Sequence, residues 1–213
     1  MAGNFSAALV KMQKNLVKSY YNNDKDILSA IKTLYCHNKA FDLDPCYSKG
    51  NFYETNMFVD TQPKIKMDKC PQTKDTIQND ILNGIPLPDN SIENVIFDPP
   101  FMFGQHGKTA ENIMAKRFSM FDDWEQLIAM YQKALLEFYR ILRKGGIVAF
   151  KCQDYTDSKT TLTHCYVHNW AIEYKFAVED IFILIWDKNR IWNSNLIQKH
   201  ARKFHSYWLV FKK

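Results

Sequence analysis

No apolar run in this chain approaches the ~20 residues needed to cross a bilayer, so a helical membrane protein is not expected. The N-terminus also lacks the basic-then-apolar pattern of a secretory signal. Cysteine is sparse: Cys36, Cys46, Cys70, Cys152 and Cys165 are odd in number and form no CxxC pair. That spacing argues against a disulfide framework and against a metal site, and it suits a reducing cytoplasm. Internal repeats, low-complexity tracts and an interdomain linker are all missing. Charge of one sign is not abundant either, since 28 Lys and Arg against 23 Asp and Glu leave a net +5. Such a charge is compatible with nucleic acid but cannot establish it. What remains is 213 residues that are 46% hydrophobic, enough for one α/β domain and too short for two of ordinary size.

Periodicity predicts a helix over Ser6 to Tyr21, with Leu9, Met12, Leu16 and Tyr20 on one face. A second helix is expected after Asp24 as N-cap, with Ile27, Leu28, Ile31 and Leu34 facing inward. Residues 1–38 thus read as a helical extension. Seven short strands follow, at Ala40 to Leu43, Lys64 to Met67, Thr76 to Gln78, Val95 to Phe97, Ile147 to Lys151, Ile181 to Trp186 and Tyr207 to Phe211. Between them Asp123 to Leu142 reads as a long amphipathic helix stopped by Gly145-Gly146, and Thr163 to Tyr174 as another helix. Strands alternating with helices imply right-handed crossovers, a mostly parallel sheet covered on both faces, and a ligand crevice at the strands' carboxyl ends. The whole of 1–213 is expected to form one domain.

The most informative residues are Asp98-Pro99-Pro100-Phe101, which close the apolar run Asn94-Val95-Ile96-Phe97. A Pro-Pro turn with a core phenylalanine would account for them without any function. The chemistry they suit is methylation of the amino group on a planar amide or nucleobase. That nitrogen is a poor nucleophile because its lone pair is delocalised. The Asp98 carboxylate and the Pro99 carbonyl can accept its two N–H bonds, drawing the lone pair out of conjugation toward an electrophilic methyl. Two prolines hold that acceptor geometry rigid, and Phe101 offers a face for a flipped-out base.

Val95 to Phe101 resembles the catalytic motif of S-adenosylmethionine-dependent amino-methyltransferases, chiefly the DNA adenine-N6 enzymes, with cytosine-N4 enzymes as near relatives. The resemblance implies a class I, Rossmann-like methyltransferase fold with S-adenosyl-L-methionine as cofactor. It also implies a cofactor loop at Asp44-Pro45-Cys46-Tyr47-Ser48-Lys49-Gly50, which is similar to the family's Asp-Pro-Phe-x-Gly-Ser-Gly loop for the methionine end. Asp44, Pro45 and Gly50 match, whereas Cys46, Ser48 and Lys49 replace Phe, Gly and Ser. Asp68, directly after the second strand, can accept both ribose hydroxyls of a nucleoside, as the acidic residue of dinucleotide folds does. By the resemblance, Asp80 would accept the cofactor's adenine amino group while the Ile81 main-chain N–H reads the ring. Each Asp alone could equally be a cap or a solvated residue. Lys151-Cys152-Gln153-Asp154, after the fifth strand, either lines the pocket wall or simply ends the strand.

The basic, aromatic segment Gln198 to Tyr207 resembles one found before the last strand of small phage-type or solitary bacterial DNA methylases. Lys199, Arg202 and Lys203 are its candidates for phosphate contact. Met102 to Asp122, with Gly104, His106, Gly107, Lys108, Lys116 and Arg117, has the composition of a target-recognition loop, or of an idle surface loop. The expected activity is methyl transfer to N6 of adenine in DNA, without a metal or a covalent enzyme intermediate. The same chemistry on RNA adenine or on cytosine N4 is the first alternative. A catalytically silent nucleic-acid-binding subunit is the second, supported by Ser48 and by the short stretch Asn51 to Pro63 where the family has a helix.

Overall fold

A computed structural model of the protein describes residues 16–50, 52–53, 62–101, 121–156, 159–186, 199–201 and 203–213. In chain order its elements are β1 (Tyr20–Tyr21), α1 (Asp24–Tyr35), β2 (Leu43–Asp44), β3 (Ile65–Asp68), β4 (Ile77–Gln78) and β5 (Ile92–Phe97). Then come α2 (Trp124–Ile141), β6 (Leu142–Cys152), β7 (Tyr155–Thr156), β8 (Thr160–Thr161), α3 (Thr163–Glu173), β9 (Ala177–Ile185) and β10 (His205–Lys212). A 3-10 turn at Ile81–Asn83 lies between β4 and β5.

The alternation of inward and outward residues on the central strands builds two cores, one on each face of the sheet. Val95 and Phe97 of β5, Val148 and Phe150 of β6, and Leu209 and Phe211 of β10 join α2 and α3 on one face. Ile96, Ile147, Ala149, Trp208 and Val210 join Ile27, Leu28 and Ile31 of α1 on the other. Phe97 is wholly buried, in edge-on contact with Tyr131, Phe138 and Phe150. Burying a side chain of this kind contributes about 1.5–3 kcal/mol, which anchors β5 immediately before Asp98.

The sheet has eight strands in the order β1-β9-β10-β6-β5-β2-β3-β4, one more than the seven expected. The extra strand is Tyr20–Tyr21, which pairs in parallel with Ile183 and Leu184 of β9 and so is not part of a helix. Two tyrosines in succession favour extended backbone, and the unpaired edge of β9 supplies the partner. Leu9 and Met12 of the expected first helix lie outside the described residues. Five of the seven pairings in this sheet are parallel, and β10 runs antiparallel to both β6 and β9. The chain leaves β2 toward β3 and β4, then returns to β5 on the other side of β2. That reversal makes the gap beyond the ends of β2 and β5 the natural ligand crevice.

Three local expectations need correction. The cap of α1 is Asn23, whose side chain accepts from the Asp26 N–H at 2.9 Å, so Asp24 is the first helical residue and its carboxylate is free for other work. Leu34 points outward, 49% exposed, while Tyr35 turns in and donates its hydroxyl to Asp180 at 2.8 Å. Gly145-Gly146 does not cap α2, because the helix ends at Ile141 and β6 begins at the next residue. The glycines instead sit within β6, near where its pairing with β5 shifts register between Ile92 and Asn94. Gly145 takes φ +81°, and a Cβ on Gly146 would press on the carbonyls of Arg143 and Glu93.

Candidate active site

Seven of the expected site residues converge because their strands end side by side. Leu43 of β2 pairs with Val95 of β5 and with Ile65 of β3, so the chain beyond these strands opens onto one crevice. An open cleft lies there, bordered by Pro45, Cys46, Asp68, Asp80, Ile81, Asp98 and Pro100 of the expected set. Ser48, Lys69, Asn79, Phe121 and Met130 also line it, and none of these was expected from the sequence apart from Ser48 within its loop. Asp44, Gly50, Pro99 and Phe101 do not border the cleft. Lys108, Lys116, Arg117 and Arg202 lie outside the described residues, as does nearly all of Met102 to Asp122. Lys199 is exposed and Lys203 half-buried.

The loop after β2 is held by its own carboxylates. Asp44 is buried, accepting from the Cys46 N–H at 3.0 Å and from the Tyr53 hydroxyl at 3.1 Å. Burial, aided by the nearby Asp98 and Asp68, pushes its carboxyl up to about 7. The Cys46 thiol is pushed up in the same way, by burial and then by the carboxylates around it. Ser48, where the resembling loops carry glycine, has φ +51°, a left-handed conformation that glycine adopts without cost. Its N–H donates to Asp68 Oδ2 at 2.8 Å, which holds the loop in that conformation. Gly50 has φ +71°, and a Cβ there would collide with the Tyr47 ring.

Asp68 also accepts from the Cys70 N–H at 2.7 Å, so each of its oxygens already holds one main-chain donor and keeps one lone pair. Asp80 caps the 3-10 turn by accepting from the Leu82 N–H at 3.1 Å, and its other oxygen pairs with Lys69 at 2.9 Å. The Asn79 side-chain amide is buried at the cleft without an acceptor among the described residues.

Asp98 emerges at the end of β5 with its side chain 23% exposed toward the cleft. Oδ2 faces Lys151 Nζ at 3.4 Å, whereas Oδ1 has no hydrogen-bond partner among the described residues. Burial raises the Asp98 carboxyl, the Lys151 cation opposes that rise, and the Asp24 carboxylate adds to it. The segment Lys151 to Asp154, at the end of β6, divides: Lys151 reaches Asp98, Gln153 donates to the His205 carbonyl at 3.2 Å, and Asp154 pairs with His164 at 2.7 Å. None of the three borders the cleft. Asp24 and Trp208 had no sequence signal linking them to the site, because they come from the first helix and the last strand.

Chemically, the carboxylates of Asp68, Asp80 and Asp98 border the cleft together with apolar side chains, and Asp98 Oδ1 is an acceptor without a partner among the described residues. Among the described residues no group of His, Cys, Asp and Glu is arranged to hold a metal ion, and no helix is long and apolar enough to cross a membrane.

No family model matches the chain, and no curated protein matches it in sequence. Solved structures do resemble it. A Galdieria sulphuraria protein designated a sarcosine dimethylglycine methyltransferase aligns with TM-score 0.53 at 11% identity, over 89% of this chain and 84% of that one. The Haloferax volcanii complex of the Trm112 methyltransferase activator with its designated methyltransferase aligns with TM-score 0.51 at 12% identity, over 86% of this chain and 92% of that one. A Thermus thermophilus protein designated a DNA modification methylase, solved with S-adenosyl-L-methionine, aligns with TM-score 0.42 at 17% identity. That alignment covers 62% of this chain, which spans about half (51%) of the Thermus protein. With the sheet order and the crevice between β2 and β5, the first two likenesses show an α/β, Rossmann-like fold of the methyltransferase kind.

Proposed function

We propose that the protein transfers a methyl group from S-adenosyl-L-methionine to the exocyclic N6 amino group of adenine in DNA. The observation that carries this reading is Asp98 Oδ1, a buried acceptor without a partner among the described residues, on a side chain that borders the cleft. A buried carboxylate oxygen left unfilled costs free energy unless a donor arrives, and an amino N–H is such a donor. With Pro99 offering its carbonyl to the second N–H, the pair would draw the nitrogen lone pair out of the ring. Phe101 would stack on the base.

The residues fit the cofactor. Asp68 and Asp80 border the cleft with carboxylates suited to a ligand's donors, while Pro45, Cys46 and Ile81 provide apolar wall. The remaining lone pair on each Asp68 oxygen suits two vicinal hydroxyls. When bound, S-adenosylmethionine supplies a methyl already activated on sulfonium. The chain's own work is then to bind, orient and polarise the amino group. Lys199 and Lys203, together with Lys108, Lys116, Arg117 and Arg202, would meet DNA phosphates.

Mass spectrometry of nucleosides from DNA and RNA incubated with the protein and cofactor tests the reading. N6-methyldeoxyadenosine is the expected product. N4-methyldeoxycytidine or a methylated ribonucleoside would redirect the substrate, and lack of both product and cofactor binding would leave a silent subunit.

A further inference from the structure

We infer that Lys151 and Asp24 are positioning residues for Asp98, holding one carboxylate oxygen and leaving the other as the acceptor for a substrate N–H. The inference rests on the reading of Asp98 as the acceptor of the amino group. Lys151 Nζ sits between Asp98 Oδ2 at 3.4 Å and Asp24 Oδ1 at 3.1 Å, and its side chain is only 9% exposed. It lies 5.3 Å from the centres of both the Phe52 and the Trp208 rings, a cation–π enclosure that fixes a normally flexible side chain. Trp208 Nε1 donates to Asp24 Oδ1 at 2.8 Å, locking the far end of the bridge. Lys151 occupies Oδ2 alone, which leaves Oδ1 buried and without a hydrogen-bond partner among the described residues. α1, which packs on one face of the sheet, thus also reaches the surroundings of Asp98 through Asp24 and Lys151.

Two opposed charges act on Asp98 through this bridge. The Lys151 ammonium favours its ionised form, and the Asp24 carboxylate disfavours it. The other titratable groups around Asp98 are Asp44 at the end of β2, the Cys46 thiol, the Tyr53 hydroxyl and the Tyr131 hydroxyl of α2. None of these is a cation, so Lys151 is the member of the set that keeps Asp98 an acceptor.

The test is carbon NMR of the aspartate carboxyls across pH, with Asp98→Asn assigning the signal, in parallel with the pH profile of kcat. Lys151→Met should raise the Asp98 titration by about one pH unit or more, the usual effect of a cation at this range. Asp24→Asn should lower it, and Lys151→Arg should stay near the parent. The acid limb of kcat should move in the same directions. A merely structural bridge would lower activity in both variants without opposite shifts. An Asp98 titration unmoved in Asp24→Asn and unmoved in Lys151→Met refutes the inference even if the parent methylates DNA. Should Lys151→Met not fold, Asp24→Asn together with Lys151→Arg decides it, since a titration that stays at the parental value in Asp24→Asn overturns the bridge. Opposite shifts in a protein that methylates nothing would keep the bridge and remove methyl transfer.

Discussion

Replacing Asp44 by Asn should stabilise the protein at alkaline pH and not at acid pH. The carboxyl is buried, and its pKa stands at about 7 against 3.8 for the ordinary group. Because the folded value is the higher one, the stability this group contributes is complete below about pH 3.8. It is lost as pH rises through about 7. At 1.36 kcal/mol per pH unit, the ionised form is disfavoured by about 4 kcal/mol. Part of that comes from the charges of the nearby Asp98 and Asp68, so the realised gain is about 2 kcal/mol. Asn keeps the oxygen that accepts from the Cys46 N–H, and its amide can turn its N–H toward Tyr53. Urea unfolding near pH 8 should therefore show a midpoint raised by about 1 M, with little change near pH 4.5. A variant no more stable than the parent near pH 8, or equally stabilised at both pH values, would refute the argument.

Asp98→Ala should abolish turnover while leaving cofactor affinity intact in calorimetry, since the acceptor matters most as the nitrogen becomes tetrahedral. Phe101→Ala should instead weaken base capture by about 1–3 kcal/mol in a DNA-binding assay, and Trp there should be tolerated better than Leu. Asp68→Ala should cost on the order of 1.5–3 kcal/mol in cofactor affinity, because it removes acceptors for two hydroxyls and releases the Ser48 N–H; unchanged affinity would take Asp68 out of the site. Ser48→Gly should raise stability by about 1 kcal/mol in thermal unfolding, by relieving the left-handed backbone at φ +51°, and should leave the loop's contact to Asp68 in place.

Much of the fold was legible because its signals are local. Short β-branched and aromatic runs mark β5, β6, β9 and β10, and the 3.6-residue period of Trp124–Ile141 marks α2. The carboxylates at Asp44, Asp68 and Asp98 were legible for the same reason, since a strand's last residue in an alternating chain falls on the ligand edge. The boundaries were less so. The Gly145-Gly146 pair signals a break in any helix, but only the register of β6 against β5 decides that the break lies inside a strand. Tyr20–Tyr21 reads as helix by period and becomes a strand because β9 leaves an edge to fill. The Asp24–Lys151–Asp98 bridge could not be read from the chain at all. Its members come from α1, β6 and the end of β5, and nothing in their sequence neighbours distinguishes an aspartate that caps a helix from one that shares a buried cation. Local propensity and pattern thus determined which residues would stand at the ends of the strands, whereas packing of α1 against the sheet decided which Asp98 oxygen faces Lys151 and which has no partner among the described residues.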